Sequence, residues 1–184
     1  MKSSILVAAI IASSAVAGTV VTATSATGTV RPCAPESLSL VFDPTGTSEA
    51  TGQHSVVLNL VNTSASSCQL HGYPTIAMLS GSRALPFVIS HRGDQMVTGA
   101  QPRIVVVSPK HRAYIVVNKY RCDAGDRAGA TSVSVRLGRG SQLLTIRFAS
   151  ISRRWISYCG PGDPGSTLTV SPYAATLGGA LAKH

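Results

Sequence analysis

Four cysteines, Cys33, Cys68, Cys122 and Cys159, and five histidines are the residues whose types could carry covalent or metal chemistry. No two cysteines stand at C-x-x-C spacing and no set matches a zinc finger, so the even count points to disulfides, given the export that the N-terminal residues described below predict. Three pairings are open. Sequential pairing, Cys33 with Cys68 and Cys122 with Cys159, is the one expected, because each bridge ties one region and closes a long loop. Each closure contributes about 3–4 kcal/mol in the chain-entropy picture. His54, His71, His91 and His111 are widely spaced, with Met78 and Met96 as soft donors. None forms H-x-H or H-x-x-x-H, the spacings that would put two imidazoles on one strand face or one helix turn, and they read as exposed polar residues. The chain has no G-x-S-x-G, H-E-x-x-H, P-loop or G-x-G-x-x-G. Asp123 and Asp126, beside Cys122 and Gly125, read as a polar turn. The sequence therefore assigns no catalytic residue, no cofactor and no metal ligand, and the expectation is a non-enzyme. The alternative, a copper- or zinc-binding or hydrolytic exported sandwich, requires His or Asp residues to converge in space.

Charge is the other chemical feature. Sixteen basic residues face seven acidic ones, for a net charge of +9 and a pI near 10.0. Between Asp126 and Asp163 the chain carries Arg127, Arg136, Arg139, Arg147, Arg153 and Arg154 without one carboxylate. Arg136, Arg139, Arg147, Arg153 and Arg154 are the candidate anion-binding set. The expected partner is an envelope component or an anionic surface, phospholipid or wall polymer. Nucleic acid is not expected, since no aromatic platform for bases is evident. The oligomeric state is not legible.

The elements that must position these residues are strands. With 44% hydrophobic and 12% charged residues, the chain can bury one domain's core. Alternation marks residues 37–42, 54–62 and 131–137, and again Leu144, Ile146 and Phe148; short apolar runs cover 75–79, 85–89, 103–107, 114–117 and 167–170. The connection 138–142 makes 131–137 and 144–148 a hairpin, with Arg136 and Arg147 on the other face from Val135 and Ile146. About eight or nine short strands with regular turn signals predict an all-β fold, an antiparallel immunoglobulin-like β-sandwich with two disulfides. A closed barrel is the alternative. Trp155 lies just before Cys159, not on a strand between bridged cysteines, so the likeness to an antibody domain is architectural only.

The N-terminus supplies Lys2, an apolar run over 5–12 and the small-x-small Ala15-Val16-Ala17, which predict a signal peptide over 1–17 cleaved after Ala17. An uncleaved membrane anchor is the alternative, but the apolar run is shorter than the ~20 residues a span needs. A leader over 18–30, the sandwich over 31–174 and a tail over 175–184 complete the organisation, with no transmembrane segment after cleavage. The expected location is secreted or extracellular, with wall association open.

The stretch from Asn62 to Pro74 combines Asn62-Thr63-Ser64, Cys68 and Gly72-Tyr73-Pro74, after an early Cys33 and before Cys122, Cys159 and a closing Thr169-Val170-Ser171-Pro172-Tyr173. This pattern resembles the exported actinobacterial family called domain of unknown function 4232, over most of the chain past residue 31. The resemblance implies an extracellular β-sandwich and no activity. One departure stands out: the family has Pro-Gly before the strand leading to the third cysteine, and here Pro109 precedes Lys110. Read from the residues alone, the motif is structural. Asn62 and Ser64 suit a turn, Gly72 suits a positive φ, and Tyr73 is expected to cap its hydroxyl on a backbone carbonyl.

Overall fold

A computed structural model describes residues 29–50, 52–138, 140–148 and 156–183, with backbone alone for 47–50. Thirteen strands run along these residues: β1 (Leu38–Ala50), β2 (Gln53–Asn62), β3 (Cys68–Leu70), β4 (Thr75–Ser80), β5 (Arg83–Ala84), β6 (Val88–Ser90), β7 (Val105–Val107), β8 (Arg112–Tyr120), β9 (Ala128–Gly129), β10 (Ser132–Arg136), β11 (Leu143–Arg147), β12 (Ser157–Tyr158) and β13 (Thr167–Val170). A short helix, α1 (Leu177–Ala180), follows. One sheet has the order β1-β2-β8-β13-β6 and another β11-β10-β4-β5; β12-β9 and β3-β7 are two-stranded.

The two main sheets bury their facing sides together, because alternate residues of a strand point to opposite faces. Val56, Leu58 and Leu60 of β2, Ala113, Ile115 and Val117 of β8, and Leu168 and Val170 of β13 meet Ile76 and Met78 of β4 and Val133 and Val135 of β10. The fold is all-β and sandwich-like, as expected. It has more strands than the eight or nine expected, since β3, β5, β9 and β12 are only two or three residues long. One pairing is parallel, β13 with β6. The run at 85–89 is not one strand either. Pro86 lacks an N–H for a ladder, and regular pairing is confined to β5 before it and β6 after it.

The outer face of the larger sheet is also covered. Val97, from the loop after β6, packs with Ala174 and Ala180 on Val57 and Val116. The N–H of Thr98 donates to Ala180 O and that of Ala182 to Met96 O, both at 3.0 Å. Residues 175–183, set apart as a tail in the sequence reading, thus pack against the sheet they follow. The same loop after β6 joins the sheet through a partly buried polar network. Asn118 Nδ2 donates to Gln53 Oε1 at 2.6 Å and to Asp94 Oδ2 at 2.8 Å. Asp94 Oδ1 accepts from the N–H groups of Met96 and Val97, each at 2.8 Å. Gln53 Nε2 donates to Gln95 Oε1 at 2.8 Å.

The turn before β8 explains the Pro109-Lys110 departure. His111 N–H donates to Ser108 O at 3.0 Å, Pro109 takes the second position, and Lys110 has φ 64° in the third. That is the geometry of a type II turn, whose third position favours glycine. The tight turn survives, with a lysine held in the left-handed region. Among the described residues Lys110 is the one non-glycine with positive φ. Lys110→Gly is therefore expected to stabilise the fold by about 1 kcal/mol, the side chain's left-handed penalty less glycine's entropy. Chemical denaturation would read this as a higher midpoint, and an unchanged or lower midpoint would contradict it.

Candidate functional site

The hairpin sets the basic face. β10 and β11 pair antiparallel with Val133 opposite Ile146 and Val135 opposite Leu144, so these four point inward. The intervening residues must then point outward: Ser132, Ser134 and Arg136 on β10, Leu143, Thr145 and Arg147 on β11. The neighbouring β4 adds Thr75, Ala77 and Leu79 to the same face through its register with β10. No carboxylate belongs to that set. Arg147 is exposed and Arg136 half-buried. They lie four residue pairs apart along the strands, about 13 Å at the usual rise. Arg147 also borders a shallow cleft of about 290 Å³ with Gly81, Thr131 and Ser132. The other residues of the candidate set, Arg139, Arg153 and Arg154, lie outside the described residues, as does Trp155.

Three of the seven carboxylates are engaged elsewhere. Asp43 accepts from Thr45 and Asn59. The Thr45 hydroxyl above all holds its carboxyl below the usual range, against the cost of desolvation. Asp94 serves the polar network described above. Asp163 caps the short 3-10 turn Pro164–Ser166 through Gly165 N–H at 2.8 Å. It reaches across to the N–H groups of Asp123 at 3.1 Å and Ala124 at 3.4 Å. Desolvation opposes its ionisation, but these three donors and the nearby Lys119 charge win and depress its pKa. Asp163 thereby ties the loop after Cys122 to the turn after Cys159.

Both disulfides form as expected, Cys33–Cys68 and Cys122–Cys159, with Cα separations of 4.8 Å and 5.2 Å. The first fastens the N-terminal segment to β3, where Cys33 N–H also donates to Gln69 O at 2.9 Å. Asn62 proves to be the hub of its motif. It is fully buried, accepts from Ser64 N–H at 2.9 Å, and donates to Ser66 O and Val107 O at 2.8 Å. Gly72 has φ 86°, and the Tyr73 hydroxyl donates to His91 O at 3.4 Å while its ring stacks on His91 at 4.0 Å. Desolvation there lowers the His91 pKa. The more deeply buried tyrosine is Tyr173, whose hydroxyl donates to Leu137 O at 3.2 Å and whose pKa burial raises.

The histidines do not converge. His54 pairs with Lys119 at one end of the β2–β8 ladder, whereas His111 lies beside Asn62 at the other. Among the described residues no group of three or more His, Cys, Asp or Glu could hold a metal ion. Lys119 is the functional candidate that sequence reasoning misplaced. Its polar type, just past the apolar run at 114–117, suggests a solvent-facing side chain, yet it is 2% exposed. It takes the inward parity of β8 with Ile115 and Val117, and its Nζ approaches both sulfurs of the Cys122–Cys159 bridge.

An all-β, sandwich-like domain stapled at two places and bearing an acid-free arginine face is the class these features define. No helix among the described residues is long and apolar enough to cross a membrane. The family described as "Domain of unknown function (DUF4232)" matches residues 33–174, and the chain belongs to that family. No curated protein and no solved structure matches it.

Proposed function

We propose that this chain is an exported, non-enzymatic binding domain of the cell envelope, and that the outer face of the β11-β10-β4 sheet docks on an anionic surface. The observation that carries this reading is the placement of Arg136 and Arg147 on a face without carboxylates. Asp43, Asp94 and Asp163 are meanwhile tied down by internal hydrogen bonds. The net charge of +9 adds long-range attraction to phosphate-rich wall polymers or anionic phospholipids. Two disulfides suit an oxidising compartment, and the leading apolar run suits export.

Co-sedimentation tests the reading. The domain should pellet with wall material or anionic liposomes at low salt and be released as the Debye length falls below ~8 Å. Arg136→Glu with Arg147→Glu should cut the bound fraction severalfold without changing the fold, because both side chains lie on the outer face. Failure of the parent domain to bind either material at low salt would sink the proposal.

A further inference from the structure

Lys119 is a buried cation, and among the described residues no carboxylate lies in hydrogen-bonding contact with it. It is 2% exposed, and its Nζ lies 3.5 Å from Cys159 Sγ and 3.8 Å from Cys122 Sγ. Disulfide sulfurs are weak acceptors and a desolvated ammonium needs strong ones, so the oxidised bridge leaves this charge poorly compensated. Burial lowers the Lys119 pKa, and Asp126 and Asp163 oppose that only at a distance. A second feature points the same way. Ser157 O lies 3.9 Å from Cys122 Sγ and 3.6 Å from Cys159 Sγ. A bridged sulfur carries no hydrogen and cannot donate to it, whereas a thiol can. The pocket thus holds a cation suited to a thiolate and an acceptor suited to a thiol. The cation near the Cys33–Cys68 bridge, Arg31, lines a cleft with Cys68 but is exposed, not buried as Lys119 is.

We propose that Cys122–Cys159 is a thiol–disulfide exchange site, reduced by an external dithiol in preference to Cys33–Cys68, with Lys119 as the positioning residue that stabilises the departing Cys159 thiolate. The two half-cystines differ in exposure: Cys122 is partly exposed as a residue and Cys159 is 2% exposed. A thiolate of the dithiol attacks Cys122 Sγ, the S–S bond breaks, and its electron pair goes to Cys159 Sγ against the Lys119 ammonium. The second thiol of the dithiol, losing its proton, then attacks the mixed disulfide. Oxidised dithiol leaves, Cys122 takes up one proton as a thiol donating to Ser157 O, and the other proton goes to solvent. A leaving thiolate of lowered pKa departs faster, and its pairing with Lys119 also favours the reduced state at equilibrium.

The test equilibrates the full chain in graded mixtures of reduced and oxidised dithiothreitol, followed by mass-tag alkylation and peptide mapping. The expected result is half-reduction of Cys122–Cys159 at a reduced-to-oxidised ratio at least tenfold lower than for Cys33–Cys68, equivalent to about 30 mV. Lys119→Met should shift Cys122–Cys159 at least tenfold towards the disulfide and leave Cys33–Cys68 unchanged, and Lys119→Arg should restore the parent behaviour. A merely structural lysine would instead move both bridges together through overall stability. The alkylation rate of reduced Cys159 in the parent chain gives an independent readout: its pH profile should inflect below the ordinary thiol value near 8.5. Equal reducibility of the two bridges, or an ordinary inflection for Cys159, would overturn the proposal even if Lys119→Met failed to fold.

Discussion

Replacing Cys33 and Cys68 together by serine should lower the unfolding free energy by about 3–4 kcal/mol, the chain-entropy value for the 35-residue loop they close. The bridge fastens the segment before β1 to β3, and β3 has only the three-residue β7 as a strand partner. Both half-cystines are core members, at 9% and 7% exposure, so the new hydroxyls also enter an apolar setting. Urea denaturation should show a lower midpoint and a steeper slope, because an uncrosslinked unfolded chain exposes more surface. A loss below about 1 kcal/mol would mean that the segment is held by its backbone bonds to Gln69 instead of by the bridge.

Asn118→Ala should cost about 2–4 kcal/mol, from one hydrogen bond to a carboxylate and one to a neutral amide. Asn118 is fully buried, and its removal strips a donor from Gln53 Oε1 and from Asp94 Oδ2. Its own Oδ1 has no partner, so truncation also relieves one buried orphan; hence the cost falls short of a full charged-group loss. The damage should be local first. Asp94 organises the Met96 and Val97 amides, and Val97 in turn pairs with Leu181. Hydrogen exchange should therefore accelerate at Val97 and Thr98 before it does in β2 or β8. Uniform acceleration across the larger sheet would show that this outer layer is not a separate cooperative unit.

The parts of this fold that were legible in sequence are those where alternation is strict and both partners are long enough to show it. The β10–β11 hairpin is the best case: Val133 and Val135 share the expected inward face with Ile146 and Leu144, because the reverse would expose them. The apolar run at 114–117 predicts an end to β8 at residue 117, since Asn118 and Lys119 look like solvent-facing polar residues. In the structure both are buried. The reason is tertiary in each case: Asn118 faces an amide from Gln53 and a carboxylate from Asp94, and Lys119 faces sulfurs from a bridge whose far half is Cys159. No periodicity in one strand carries that information. The two-residue strands β5, β9 and β12 were equally invisible, being too short to alternate. Of the candidate anion-binding set, the outward placement of Arg136 and Arg147 followed from the hairpin alone.

The position of β13 in the larger sheet has a kinetic consequence. Last of the strands in sequence, it sits between β8 and β6, antiparallel to the first and parallel to the second. Neither the β6 edge nor the inner flank of β8 can complete its ladder until that distant segment arrives and closes a long loop. The central layer therefore cannot finish folding from the N-terminal end as the chain is delivered. Assembly has to wait for the C-terminal quarter, which makes the topology one of high contact order and slow, all-or-none closure. Until then Val88 and Ile89, still among the more exposed apolar side chains of the finished fold, stand on an unpaired edge open to intermolecular pairing.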